Sequence, residues 1–468
     1  MRPAPDDHGR PAGFRLHPVL VMIAVIVFAA LLTHLVDAGK FKREGKLVVP
    51  GTYHVVAKIN GPPALFSPTA PDAKEKPARA ASVVSLFTAI PAGMSKSAAL
   101  IFMVMFIGGM FGVMRATGAV DAGVNRLLHL TSSNLYVLTP ILMIVLALGS
   151  TFLGFISEYL VIIPIVAVIG QRLGMPNLFA MAVVGVAAKI GYAASVTNPV
   201  ALAVAQPLAG VPVFSGMGPR FAIFALFLAL GIAFVLAFVR RAERHPPAET
   251  EIDTARLTLR QTGVLLALLG GSVALIIGTR QWDWGNPELA AVYIAMSVVI
   301  AAVGGLSASA TADAFVDGMK SMTLAGLLVG LAAAVEVILR DSQVLDTIIN
   351  AATRAAQGHS PPVVANALMG IEMALDVVIP SVSGKATLSI PILAPIAQAS
   401  GIGGEPLVIA FLLGSGLMNM LTPTSGMLLA YLATSRVGYL EWVRFIAPLW
   451  LVLVALAGVI LALASVHL

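Results

Sequence analysis

The chain has no cysteine, and only 11% of its 468 residues are charged. The first absence excludes disulfides, thiolate metal ligands and cysteine nucleophiles. The second leaves too little polar surface to cover a soluble globule of this length. Common enzyme signatures are missing as well: there is no HExxH, no Walker loop and no GxSxG elbow, and the eight histidines are scattered. What is abundant is apolar sequence, 58% of the residues, with a mean hydropathy of +0.92.

A bilayer core ~30 Å thick takes about 20 apolar residues per helix. Stretches 18–36, 98–114, 135–153, 178–206, 219–239, 263–279, 289–305, 323–339, 362–380, 406–436 and 443–466 qualify, so the expected fold class is an all-α polytopic membrane protein. The first stretch follows Arg2, Arg10 and Arg15, but Thr33 to Asp37 offers no convincing cleavage site, and it reads as a retained helix. Residues 37–97 carry seven prolines and charged clusters and read as a long extramembrane loop. The net charge of +6 lies mostly in connecting segments, which suits membrane lipid headgroups and topology rather than nucleic acid. An inside N-terminus is expected, although it puts Arg240, Arg241 and Arg244 outside.

The sequence also repeats itself. Residues 163–174, IPIVAVIGQRLG, return as IPILAPIAQASG at 390–401, a spacing of 227. Gly93-Met94 and Gly318-Met319 each read as opening a hydrophobic helix that ends at Arg115 or Arg340, with Asp121 or Asp346 beyond, all at a spacing of 225. The polar stretch 240–262 divides the chain, giving an N-terminal repeat over 1–239, a linker and connecting helix over 240–288, and a C-terminal repeat over 289–468. Inverted repeats need an odd number of crossings between Arg115 and Arg340, and the stretches above give six. Either one stretch is misread or the repeats are parallel.

Each half carries a polar tip before its repeated block: Gly154 to Tyr159 in the first, Pro380 to Lys385 in the second. Tip and block are too short and interrupted for two full crossings, so each reads as a re-entrant hairpin. About 35 residues later comes a proline break, Ser195-Val196-Thr197-Asn198-Pro199 in one half and Asn419 to Gly426 in the other. Proline removes a backbone donor and frees carbonyls near residues 195 and 419. Irregular backbone at membrane depth is tolerated only inside protein or along a wet cavity. Such carbonyls and hydroxyls suit Na⁺, and the half-helix N-termini suit a carboxylate. One such break is a harmless kink as readily as a site; two tips paired with two breaks point to a transporter with its site between the repeats.

Intramembrane charges sharpen this reading. Glu158 and Lys385 stand six residues before Pro164 and Pro391, so the repeat makes them equivalents of opposite sign. Lys385 could meet a substrate carboxylate and Glu158 a cation, proton or substrate ammonium. The competing reading pairs Glu158 with Lys189 and Lys385 with Asp376 as structural ion pairs. Glu372 and Asp376 share one helix face and suit a proton relay, while Glu336 is expected to pair with Arg340.

The blocks AIPAGMSKSAALIFMVMFIGGMFGVMRATGAVDAG, TFLGFISEYLVIIPI, SVTNPVALAVAQPLAGVPVFSGMGPRF, IPSVSGKATLSIPILAPIA and NMLTPTSGMLLAYLA resemble, in this order and nearly end to end, the YfcC-like, C4-dicarboxylate anaerobic carrier family. That family is similar to the wider ion transporter superfamily, and the resemblance implies two inverted repeats, each with a re-entrant hairpin and a broken helix. It implies that Ser157, Glu158, Thr197 and Asn198 line one half of the site, and Ser381, Ser383, Lys385, Thr422, Thr424 and Ser425 the other. Residues assigned to ion or proton coupling are Glu158, Asn198, Glu372, Asp376, Asn419 and Thr422, with Na⁺ at Ser157, Asn198, Ser383 and Thr422. Lys189 departs from the expected small or apolar residue. A homodimer is implied by resemblance alone.

The function expected is secondary transport of small carboxylate-bearing metabolites across a bacterial inner membrane, with no organic cofactor. It would be driven by Na⁺ or H⁺ or run as exchange. The alternative is an amino acid antiporter, basic amino acids included. A passive channel or scaffolding subunit is the remote reading, and a membrane-embedded enzyme the least supported.

Overall fold

The computed structural model describes residues 18–467 apart from 45–46, 50, 61–63, 65, 67–76, 131–133, 243–256, 283, 285, 357 and 380. Among them the chain is almost wholly helical. It opens with α1 (Pro18–Leu35) and a loop of three two-stranded ribbons, which docks on the far half of the molecule. Asp346 accepts the Phe41 amide at 3.0 Å and Arg43 Nη2 at 2.8 Å. The loop is shorter than expected from its prolines. It ends at Ser82, which forms a reciprocal capping box with Ser85 and starts a helix.

The helices then fall into two series. The first runs α2 (Val83–Lys96), α3 (Ala98–Ala116), α4 (Ala119–Leu130), α5 (Leu135–Leu148), α6 (Tyr159–Arg172), α7 (Leu178–Ala194), α8 (Pro199–Leu208) and α9 (Met217–Arg241). Two helices follow, α10 (Leu259–Gln281) and α11 (Asn286–Gly304). The second series is α12 (Ala308–Ser321), α13 (Thr323–Asp341), α14 (Leu345–Ala356), α15 (Pro361–Val378), α16 (Val382–Ala399), α17 (Gly404–Met418), α18 (Gly426–Ser435) and α19 (Tyr439–His467). Among the described residues seven helical spans are long and apolar enough to cross a bilayer, α3, α5 with the π-helical turn that continues it to Phe152, α9, α11, α13, α15 and α19, and seven shorter helices are apolar too. Gly93-Met94 and Gly318-Met319 lie inside α2 and α12 rather than opening helices. Each of those helices runs on into the next after one residue, Ser97 or Met322.

The two series pack as one pattern applied twice. Helix α3 packs on α12 and α13 on α2; α8 packs on α16 and α18 on α6; α5 and α9 pack on α7 as α15 and α19 pack on α17. Every one of these statements survives exchange of the halves, and α7 meets its own counterpart α17.

The close glycine approaches give the direction. A Cβ added at Gly93 would meet Gly330 and Ala334, one at Gly326 would meet Ile101, one at Gly108 would meet Gly318 and Met322, and one at Gly112 would meet Ala314 and Gly318. Numbers fall along residues 308–341 as they rise along 83–116, so these equivalent segments run antiparallel. Ile101 and Gly326, themselves 225 apart, face each other at the centre of the crossing. Antiparallel equivalents make inverted repeats. The count of six crossings is therefore corrected: stretch 135–153 is one arm of a hairpin whose return arm is α6. Ser150 Oγ donates to Ala188 O near the end of α7, while Gly170 near the end of α6 abuts Phe179 at the start of α7. The arms thus run in opposite directions along α7 and cancel, leaving five.

Candidate functional site

Both breaks are real interruptions. Helix α7 stops at Ser195 in the left-handed region (φ 42°), and α8 restarts with Asn198 accepting the Val200 amide at 3.0 Å ahead of Pro199. Helix α17 ends at Asn419, and α18 restarts at Ser425, which accepts the Leu428 amide at 3.3 Å. The first hairpin turns through a π-helical segment, Gly149–Leu153, into Gly154 at φ 73°, where a Cβ would collide with Asn198 Oδ1. Thr197 ties break to hairpin, its amide donating to Thr151 O at 3.1 Å and its hydroxyl to Phe152 O at 3.2 Å.

The tips of both halves and the second break line one cavity of ≈ 670 Å³. Its wall includes Ser157 and Glu158 from the first tip, Ser381 from the second, and Asn419, Thr424 and Ser425 from the second break, together with Lys189, Tyr192, Lys96 and Glu336. Glu158 accepts the Ile156 amide at 2.9 Å and the Ser157 hydroxyl at 3.3 Å. Among the described residues no ion pair joins it to Lys189. Glu336 pairs with Lys96 across the cavity wall rather than with Arg340, because α13 lies against α2 and presents it there.

The remaining predicted residues sit behind that wall. Asn198 is fully buried, bonded to Ser195 Oγ at 3.1 Å. Thr422 is buried 2.7 Å from the Thr424 hydroxyl. The side chain of Ser383, with Pro380 before it, lies outside the described residues. The second tip is shorter than the sequence implies: α16 starts at Val382, capped by Ser381, so Lys385 stands inside its first turn. Glu158, its equivalent, precedes the first residue of α6. That extra turn of helix carries the lysine into the protein. Lys385 Nζ donates to Asp376 Oδ1 at 2.7 Å and Ser415 Oγ at 2.6 Å, and lies 3.8 Å from Glu372 Oε2, all fully or almost fully buried. Of the two partners open to Lys385 in the sequence, the structure gives it the carboxylate on α15.

Asn419 connects this buried cluster to the cavity. Its Nδ2 donates to Asp376 Oδ2 at 2.6 Å, and its Oδ1 accepts from Ser425 Oγ at 2.7 Å and Lys189 Nζ at 3.4 Å. Both oxygens of Glu372 lack a hydrogen-bond donor. Carbonyls at the breaks, expected to be free for a cation, are answered by side chains: Val196 O by Arg220 at 3.2 Å, and Leu417 O, Met420 O and Leu421 O by Trp450, Trp442 and Tyr439. Among the described residues no cluster of His, Asp and Glu could hold a metal ion.

The sequence reading passed over Tyr192, Tyr431 and Arg220 and treated Lys189 as a departure. The signal for Lys189 is plain in retrospect, since it is the single charge in 178–206. Tyr431 spans the site, its hydroxyl donating to Ile156 O in the first tip and its ring lying 5.8 Å from Lys189 Nζ.

A helical, multi-pass chain with inverted repeats and, between their broken helices, a cavity with charged and hydroxyl side chains on its wall is a membrane transporter. The family described as C4-dicarboxylate anaerobic carrier matches residues 17–466, and this chain belongs to it, as the sequence blocks had led one to expect. Two relatives align with about three quarters of it: the Escherichia coli K12 protein provisionally named basic amino acid antiporter YfcC, 29% identical over 77% of this chain and 76% of that one, and a Haemophilus influenzae protein named only as uncharacterized, 27% identical over 74% and 71%. Among solved structures, the YdaH transporter of *Alcanivorax borkumensis* aligns over 96% of this chain and 98% of that one, at 18% identity and a TM-score of 0.44. MtrF of *Neisseria gonorrhoeae*, from a class of antimetabolite efflux pumps, aligns over 97% and 96%, at 16% identity and a TM-score of 0.45.

Proposed function

We propose that this protein is a secondary carrier of small carboxylate-bearing metabolites in the bacterial inner membrane, working by alternating access of its two inverted repeats around the shared cavity. The observation that carries the reading is that one cavity is walled by the hairpin tips of both repeats, the second break and an intramembrane lysine. Transport runs on a Na⁺ or H⁺ gradient or by exchange. The buried chain of Glu372, Lys385, Asp376 and Asn419 is the candidate for coupling, because it joins titratable groups to the cavity through one amide. Ser157, Asn198 and Thr422 are the described hydroxyl and amide groups offered to Na⁺. Membrane lipids surround the protein, and a second copy is its proposed partner in a homodimer.

A second reading, an amino acid antiporter, is favoured by Glu158, a carboxylate on the cavity wall with no cationic partner among the described residues. The name of the *E. coli* relative supports the same reading. Both readings are tested by a ligand-stabilisation screen of the purified protein across dicarboxylates and amino acids, with and without Na⁺. A saturable rise in melting temperature with one solute class is expected. A flat response across every solute and both salts would remove the carrier reading.

A further inference from the structure

We infer that Lys189 and Tyr192 anchor the carboxylate of the transported solute, a role that the sequence had assigned to Lys385. The inference rests on the carrier reading above. Lys189 lies near the end of α7 with 3% of its surface exposed and lines the cavity. An ammonium has three protons to donate, and among the described residues that of Lys189 has one hydrogen bond, the 3.4 Å contact to Asn419 Oδ1, and no ion pair. Tyr192 follows three residues later, on the same helix face. It is 2% exposed and lines the same cavity, and its hydroxyl has no partner.

A buried ammonium answered by one long bond beside a buried hydroxyl answered by none is costly unless something else accepts from them. One carboxylate answers both, taking a charge-assisted bond from Lys189 Nζ on one oxygen and a bond from Tyr192 on the other. Lys385 is committed elsewhere: its ammonium is held by Asp376, Ser415 and Glu372 and does not line the cavity. The other cation on the wall, Lys96, is neutralised by Glu336. Lys189 is thus the cavity's one cation without a carboxylate partner among the described residues.

The test uses the purified full-length protein and acid–amide pairs: succinate against succinamide, and lysine against lysinamide, each by thermal melting. The wild type is expected to be stabilised by at least one acid and not by its amide. K189M should lose that preference, with apparent affinity for the acid at least ~10-fold weaker, as removal of a charged hydrogen bond implies. K189R should keep the preference, and Y192F should weaken it several-fold. A merely structural lysine would change stability without changing the choice between acid and amide. If K189M does not fold, Y192F decides. Retention of the wild-type preference in every folded variant overturns the anchor alone, whereas a wild type indifferent to all acids overturns the carrier reading and the anchor with it.

Discussion

The two halves use equivalent charges in opposite ways. Glu158 in the first tip stays on the cavity wall, bonded only to its own tip. Lys385 in the second is drawn into a closed cluster with two carboxylates and a hydroxyl. The breaks differ too. The first has the Val196 carbonyl served by Arg220, itself paired with Glu405 at 3.0 Å. The second has its carbonyls served by the neutral donors Trp442, Trp450 and Tyr439. Inverted repeats therefore preserve where the backbone is interrupted while leaving each half free to choose what satisfies it. One half leaves its charge on the cavity wall, and the other stores its charge behind that wall.

The largest test of that contrast is K385M. It leaves Asp376 and Glu372 buried without their cation, and breaking a buried pair in this way costs about 3–5 kcal/mol. The melting temperature should fall steeply, far more than for E158Q. A mild K385M would put Lys385 back among groups that are free to meet solute. Next in size, R220M should cost about 3 kcal/mol, because it takes the cation from Glu405 and leaves the Val196 carbonyl without its donor. W442F, which orphans the Met420 carbonyl alone, should cost about 1–2 kcal/mol in the same melting assay. Equal losses would erase the distinction between a charged and a neutral break. Smallest in stability but clearest in function is E158Q. It should keep the fold and lower the preference for ammonium-bearing over purely anionic solutes about tenfold in competition uptake. An unchanged preference would remove Glu158 as the cationic solute's contact.

Much of the fold is written in local sequence. The spacings of 225 and 227 and the prolines at 199 and 423 gave the repeat and both breaks, because a proline acts within a few positions of itself. Inversion, which the family resemblance implied, was not legible in the crossing count, since the hairpin's return arm follows its tip too closely to register as a separate segment. Lys385 was legible only as a choice between solute and Asp376, and the sequence did not make that choice. It depends on α16 starting one turn earlier, relative to the repeat, than α6, and on α15 presenting Glu372 and Asp376 to it. Pairing of Glu336 with Lys96 over Arg340 is likewise tertiary: a spacing of four permits a bond, but the crossing of α2 and α13 supplies the nearer cation.

The central claim is a single solute chamber reached in turn from either side of two inverted repeats. Counterflow in proteoliposomes tests it directly: vesicles loaded with an unlabelled solute that stabilises the protein are diluted into trace radiolabelled solute. The account predicts a transient, saturable overshoot of label inside the vesicles that collapses when the internal solute is omitted. Entry that rises linearly with concentration and ignores the internal solute would contradict it and make the protein a pore.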